Sequence, residues 1–171
     1  MSGLLRNLLT VIGALRHWRS MPVQSHTSAW FLVTPLDTGF SRLKSDKYLQ
    51  LAEAAQVDYV IKTGLLATIR QRGCAFVNLS QLVRFARPVH LFSRVRVDTY
   101  IVYADARHAW FCHCYYVGPV QCAEVLVKMK FKRGTLTVAP SEFIGPFTGP
   151  QPAFVKAWDD ALAGIAAHPA C

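Results

Sequence analysis

Acidic side chains are scarce in this sequence, and so are the patterns that would identify a nucleic-acid reader. Ten Asp and Glu stand against nineteen Lys and Arg, which gives a formal net charge of +9. Such an imbalance favours polyanionic partners, whether nucleic acid, an acidic membrane surface or a phosphate-bearing cofactor. The chain contains no paired zinc-finger cysteines and histidines and no aromatic RNA-binding signature. A nucleic-acid partner is therefore not expected.

A long uninterrupted apolar run is also lacking. In MSGLLRNLLTVIGALRHWRS the apolar run is broken by Arg6 and ends at Arg16, short of the roughly 20 residues that span a bilayer, and no small-residue cleavage site follows. Apolar residues recur at helical spacing: Leu4, Leu5, Leu8, Ile12 and Leu15. This pattern predicts an amphipathic helix within residues 1–22. Two roles stay open, since the helix can pack on its own domain or a partner subunit, or lie at a membrane surface.

The chain has an odd number of cysteines, five, and is too large to need disulfides for stability, which favours reduced thiols and a cytoplasmic protein. Cys112-His113-Cys114 has the composition of a metal site. In a strand, however, alternation puts the two cysteines on one face and the histidine on the other, so the three cannot meet at one ion. We therefore expect core thiols and no metal. The six histidines show no partnered nucleophile and no His-Glu-x-x-His spacing, which argues against triad and metal chemistry.

What the sequence does contain is the composition of one globular domain, with 52% apolar and 17% charged residues in a chain of 171. A strand is predicted at 29–33, followed by a helix over 46–63 with Ser45 as N-cap and Gly64 as its end. Alternating residues predict four further strands, within 77–85, 95–103, 108–117 and 125–131. The long helix must then cover one face of an antiparallel sheet, giving an α+β domain. We expect three parts: residues 1–22, the domain 23–140, and a C-terminal extension 141–171 with a short helix.

Three segments carry a resemblance to a known family: YLQLAEAAQVDYVIKTGL (48–65), NLSQLVRFARPVHLFSRVRVDTYIVYAD and QCAEVLVKMKFK. Together they resemble the hotdog-fold thioesterase superfamily, in particular 4-hydroxybenzoyl-CoA thioesterases, over residues 28–138. The resemblance implies a hotdog fold, in which a curved antiparallel sheet wraps a long central helix. It also implies an acyl-CoA substrate, no cofactor apart from the coenzyme A of that substrate, and a homodimer or a dimer of dimers.

The same resemblance implies a catalytic loop before the helix. Asp37 would act as base or nucleophile, and backbone N–H groups near Ser45 would stabilise the oxyanion. Asp37 stands eleven residues before Tyr48, whereas the family's aspartate stands about ten before the matching tyrosine, so the ungapped position is Thr38. The family's histidine and asparagines are also missing from residues 42–45. Asp37 can therefore be a turn residue instead, and the chain a non-catalytic hotdog protein that binds an acyl or lipid-like ligand or scaffolds partners.

The remaining candidates are a second carboxylate and the groups that would hold the substrate. Glu53 matches an acidic residue on the family's helix. Arg84 and Arg87 flank a strand end before Pro88, and arginines suit bidentate contact with the phosphates of coenzyme A. The expected contacts to the rest of the substrate are Gly39, Phe40 and Tyr48. Each of these residues also has an ordinary explanation as a surface or core side chain.

Overall fold

The structure is a computed structural model that describes residues 10–15, 18 and 21–167. An antiparallel sheet of six strands and one long helix make up most of these residues. The strands are β1 (Thr27–Leu32), β2 (Ala75–Phe85), β3 (Arg94–Ala104), β4 (Ala109–Val117), β5 (Val120–Arg133) and β6 (Leu136–Val138). The helices are α1 (Ser45–Lys62), α2 (Leu65–Gln71), α3 (Ser141–Ile144) and α4 (Ala153–Ala167).

The strands run in the order β1-β3-β4-β5-β2, with β6 paired to the end of β5. Helix α1 packs on the concave face of this sheet against β1, β3 and β5. At the centre of the core the ring of Tyr59, on α1, meets the ring of Phe111, on β4, edge to face at 5.4 Å. The predicted α+β architecture, with one long helix covered by a curved antiparallel sheet, is confirmed.

Both ends of α1 have a local cause. Gly64 adopts a left-handed conformation with φ of 71°, which glycine does at little cost, and the helix ends there as predicted. The predicted N-cap is wrong by one residue, because Lys44 holds the extended cap position and Ser45 is the first helical residue. No side chain caps this end, so its first backbone N–H groups keep their capacity to donate.

Strand β2 is an edge strand, which its sequence did not reveal. It does not lie beside β3, the next strand along the chain, but pairs with β5 from Ala75↔Lys132 to Phe85↔Ala123. On its other side it has no strand partner among the described residues. Four large apolar side chains of β2 are 41–53% exposed: Val77, Leu79, Leu82 and Phe85.

Helix α4 covers part of the opposite, convex face of the sheet. Its Val155 and Trp158 pack against a cluster that includes Trp110, Cys112 and Cys114 of β4. The histidine between the two cysteines, His113, points the other way into the core, where its Nδ1 lies 2.9 Å from Thr99 Oγ1. The structure therefore separates the histidine from the two thiols, as strand alternation predicts.

Only part of the predicted N-terminal helix lies among the described residues. Residues 10–15 are helical, and the rest of the segment 1–22 is largely outside the described part. None of the described helices is both long and apolar enough to cross a membrane. The division into 1–22, 23–140 and 141–171 stays a prediction.

Candidate active site

The start of α1 lies beside the end of β2 because the loops at these two points are bonded to each other. The amide of Leu43 donates to the carbonyl of Val89 over 2.8 Å, and the amide of Leu91 donates to the carbonyl of Ser41 over 2.9 Å. These bonds join the loop before α1 to the segment that follows β2. These main-chain bonds therefore hold the start of α1 next to the end of β2.

A cavity of about 310 Å³ opens at this junction. Its walls come from the start of α1 and from the segment after β2: Arg42, Leu43, Ser45, Tyr48, Phe85, Ala86, Arg87 and Pro88. Among the described residues the backbone N–H groups of Ser45 and Asp46 make no main-chain hydrogen bond. They belong to the positive end of the helix dipole, so this end of the cavity suits an anion or a developing oxyanion.

Tyr48 forms one wall of the cavity. Its ring meets the Phe85 ring edge to face at 5.0 Å, and its main-chain carbonyl accepts a bond of 2.6 Å from the Tyr115 hydroxyl. Burial raises the pKa of the Tyr48 phenol, while a contact with the backbone of Val89 acts in the opposite direction. The phenol therefore stays protonated at neutral pH and can donate a hydrogen bond.

Asp37 is 1% exposed and is tied to the helix start by its main chain. Its carbonyl accepts a bond of 3.1 Å from the amide of Lys44. Its side chain turns to Thr34, whose amide and hydroxyl donate to Oδ2 over 3.0 and 2.7 Å. Asp37 is not among the residues that line the cavity. Its assignment as base or nucleophile stays a prediction.

Glu53 is separate from the cavity. It lies eight residues after Ser45 on α1, which is about 12 Å along a helix axis, and it is exposed. It shares the open face of α1 with Asp46 and Gln50, at spacings of three and four residues. Within one chain Glu53 cannot act on a group bound at the helix start.

The other expected contacts fall in different places. Gly39 is exposed, and its amide donates to the carbonyl of Arg42 over 3.1 Å. Phe40 is fully exposed, so within one chain it buries no ligand. Arg84 lines a second cavity of about 300 Å³ on the convex face, where it pairs with Glu124 at 3.0 Å. Of the two predicted arginines, only Arg87 lies at the helix start.

The second arginine at the helix-start cavity is Arg42 and not the expected Arg84. Both Arg42 and Arg87 line the cavity, although they are far apart in sequence. Both reach the cavity because Arg42 forms an isolated β-bridge with His90, three residues after Arg87. No spacing or composition in the sequence indicates that pairing.

A larger cavity, of about 420 Å³, lies on the other side of α1 along β1. Asp58 and Lys62 line it and form an ion pair of 2.7 Å, one helical turn apart. Lys62 also donates to the carbonyl of Ser28 over 3.0 Å. The pair thus joins α1 to β1, and a structural role accounts for both charges.

The central helix, the curved antiparallel sheet and the cavity at the helix start define a protein of the hotdog class. A family model described as the thioesterase-like superfamily matches residues 40–144. The chain belongs to the thioesterase-like superfamily, and thioester hydrolysis is the chemistry that this membership indicates. The matched region contains the helix start and both arginines of the cavity, whereas Asp37 precedes it. No curated protein sequence matches the chain significantly.

Solved structures agree on the fold. A probable thioesterase from Escherichia coli, YbaW, superposes with a TM-score of 0.64 at 13% identity, covering 68% of this chain and 92% of that one. A probable thioesterase from Bartonella henselae gives 0.60 at 16% identity, covering 67% and 98%. A 4-hydroxybenzoyl-CoA thioesterase variant, solved with 4-hydroxybenzoyl-CoA, gives 0.62 at 15% identity, covering 70% and 96%. The expected resemblance to hotdog thioesterases is confirmed at the level of family and fold.

Proposed function

We propose that the protein hydrolyses an acyl-CoA thioester at the start of α1. The observation that carries this proposal is the cavity where unbonded helix N–H groups and two arginines meet. A thioester needs a polarised carbonyl and a site for its carrier, and coenzyme A carries phosphates. The helix start can supply the first and Arg42 with Arg87 the second. One of the similar structures contains such an ester, 4-hydroxybenzoyl-CoA.

In the proposed reaction the thioester carbonyl oxygen lies at the amides of Ser45 and Asp46. Water attacks the carbonyl carbon while Asp37 takes its proton, the carbon–sulfur bond breaks, and the thiolate leaves with the electron pair. Tyr48 can donate a hydrogen bond inside the same cavity. The alternative covalent route, attack by the Asp37 carboxylate itself, uses the same positions.

The test is a thiol-release assay with a panel of acyl-CoA esters. Asp37→Asn should reduce kcat by about 10²–10⁴-fold, the usual cost of losing a positioned base. Asparagine keeps an acceptor for the donors on Thr34, so the loop should stay folded. Glu53→Gln is the matched control, a carboxylate removed from an exposed position on α1. Full turnover in Asp37→Asn together with loss in Glu53→Gln would move the base to the helix.

One observation favours a second candidate, a hotdog protein that binds such a ligand without hydrolysing it. The Asp37 carboxylate is engaged by Thr34 and does not line the cavity. Calorimetric binding of an ester that is never cleaved, in wild type and Asp37→Asn alike, would support this alternative over catalysis.

A homodimer is part of the proposal. Strand β2 is paired on one side only and exposes apolar side chains, and an open edge of this kind favours pairing with another strand. A second copy offers the same edge, which gives a two-fold interface. Light scattering should therefore return about twice the 19.1 kDa chain mass; the mass of a single chain would contradict the dimer.

A further inference from the structure

The convex face of the sheet holds a group of side chains that thioester hydrolysis does not use. Cys112 and Cys114 point outward from β4 and are buried under α4. Their Sγ atoms are 3.5 Å apart. The carboxylate of Glu124, on the neighbouring strand, lies 3.4 Å from Cys112 Sγ through its Oε1. All three candidate ligand atoms lie within 4.8 Å of one another.

Strand register explains why these residues meet. Cys114 is directly opposite Glu124 in the β4–β5 ladder, and Cys112 is two residues along on the same face. Glu124 is in turn opposite Arg84 on β2, which donates to its other oxygen, Oε2, over 3.0 and 3.3 Å. Arg84 thus holds the carboxylate so that Oε1 faces the thiols.

The distances resemble those of a tetrahedral thiolate site. Two sulfurs bound to zinc at about 2.3 Å lie about 3.8 Å apart, and a sulfur and a carboxylate oxygen on the same ion lie about 3.5 Å apart. The Sγ–Sγ distance and the distance from Cys112 Sγ to Glu124 Oε1 are within a few tenths of an ångström of these values, and Cys114 Sγ lies within 4.8 Å of the same oxygen. Two soft sulfur ligands and one carboxylate favour zinc over magnesium or calcium, which prefer oxygen alone.

The site also has a way in. The Glu124 side chain is 25% exposed, and it borders the convex-face cavity formed with Leu126 and Phe154. An ion can therefore reach the thiols through this cavity, and a water molecule can supply the fourth ligand.

We propose that Cys112, Cys114 and Glu124 form a binding site for a thiophilic divalent metal ion of the zinc type. The ion displaces one proton from each thiol and joins β4 to β5 beneath α4. This departs from our expectation of inert core thiols. His113 is excluded as a ligand, as alternation requires, and the carboxylate comes from a strand that the Cys-His-Cys spacing does not include.

The site is independent of the proposed hydrolysis, since the sheet separates it from α1. Reduced, metal-free full-length protein titrated with Co²⁺ should bind one ion per chain and show a thiolate-to-cobalt charge-transfer band with the visible bands of a tetrahedral ion. Zn²⁺ should bleach these bands, and in weak buffer about two protons should be released per ion.

Variants locate the ligands. Cys112→Ser or Cys114→Ser should abolish the charge-transfer band, and Glu124→Gln should weaken Co²⁺ binding by about 10–100-fold or more, because even outer partners of metal ligands have effects of this size. Cys122→Ala, which removes a buried thiol on the core side of β5, and Cys74→Ser are the controls and should bind normally.

Two results would overturn the proposal. One is the absence of a thiolate band in the reduced wild type, a measurement that depends on no variant. The other is a band that persists, with one ion per chain, in folded Cys112→Ser or Cys114→Ser.

Discussion

Acid should destabilise this protein through one histidine. His113 is wholly buried, and loss of hydration lowers its pKa to about 3. Its Nδ1 shares a hydrogen bond with Thr99, and its Nε2 has no partner among the described residues. In the unfolded chain the ring titrates near its ordinary pKa of about 6.5. Below pH 6.5 the unfolded state binds a proton at this histidine that the folded state does not bind. The contribution of the neutral His113 to the free energy of unfolding is therefore fully present above pH 6.5 and is lost as the pH falls towards 3.

The size of the loss follows from the separation of the two pKa values. A difference of about 3.5 pH units corresponds to about 5 kcal/mol of stability, fully lost only below pH 3, of which about 2 kcal/mol is already lost at pH 5. Urea unfolding at pH 7 and pH 5 measures this difference. In His113→Asn the side chain does not titrate, and its amide can still bond to Thr99.

The informative quantity is the change in the free energy of unfolding between pH 7 and pH 5, since the substitution also alters the stability at each pH by changing the packing. The wild type should lose about 2 kcal/mol more than His113→Asn between pH 7 and pH 5. His26→Gln is the control, because it removes an exposed histidine that stacks on Tyr100 and leaves the buried His113 in place. Equal losses in wild type and His113→Asn would mean that His113 is protonated inside the fold, and the reasoning from burial would be wrong.

Three further substitutions test other parts of the fold. Arg87→Ala should raise KM for acyl-CoA by about tenfold or more through the loss of a charge-assisted bond, with kcat less affected in steady-state assays; the exposed Arg107→Ala should change neither. Gly64→Ala forces a side chain onto φ of 71° and should lower the free energy of unfolding by about 1–2 kcal/mol in urea titrations. Phe111→Ala empties the fully buried centre of the core and should cost about 3–5 kcal/mol by the same measurement.

The order of elements could be predicted because it depends on local patterns. A period of two along 95–103 and mixed three- and four-residue steps along the helix mark strand and helix directly. Gly64 marks the helix end through its own backbone freedom. Helix α2 was missed because it directly follows that glycine and is only seven residues long.

Pairings between distant segments could not be predicted in the same way. The residues of β2 alone do not indicate that it pairs with β5 as an edge strand, because strand pairing depends on the arrangement of the whole sheet. The presence of Arg42 and Arg87 at one cavity, and of Glu124 beside the two cysteines, follows from pairings of this kind. The sequence could identify residue types suited to phosphate or metal, but only the register shows which of them share a site.

Asp37 lies in a turn that its own side chain helps to close. The turn that begins at Thr34 closes with the Asp37 amide bonded to the Thr34 carbonyl over 2.9 Å, and the same threonine binds the carboxylate. The carbonyl of Asp37 nevertheless accepts a bond from the amide of Lys44, which occupies the N-cap position of α1. The main chain of Asp37 is therefore adjacent to the helix start even though its side chain turns away. Hydrolysis by Asp37 needs its carboxylate, whose Oδ2 accepts both bonds from Thr34, to contact a water molecule at the helix start. That contact is the step on which catalysis and simple binding differ.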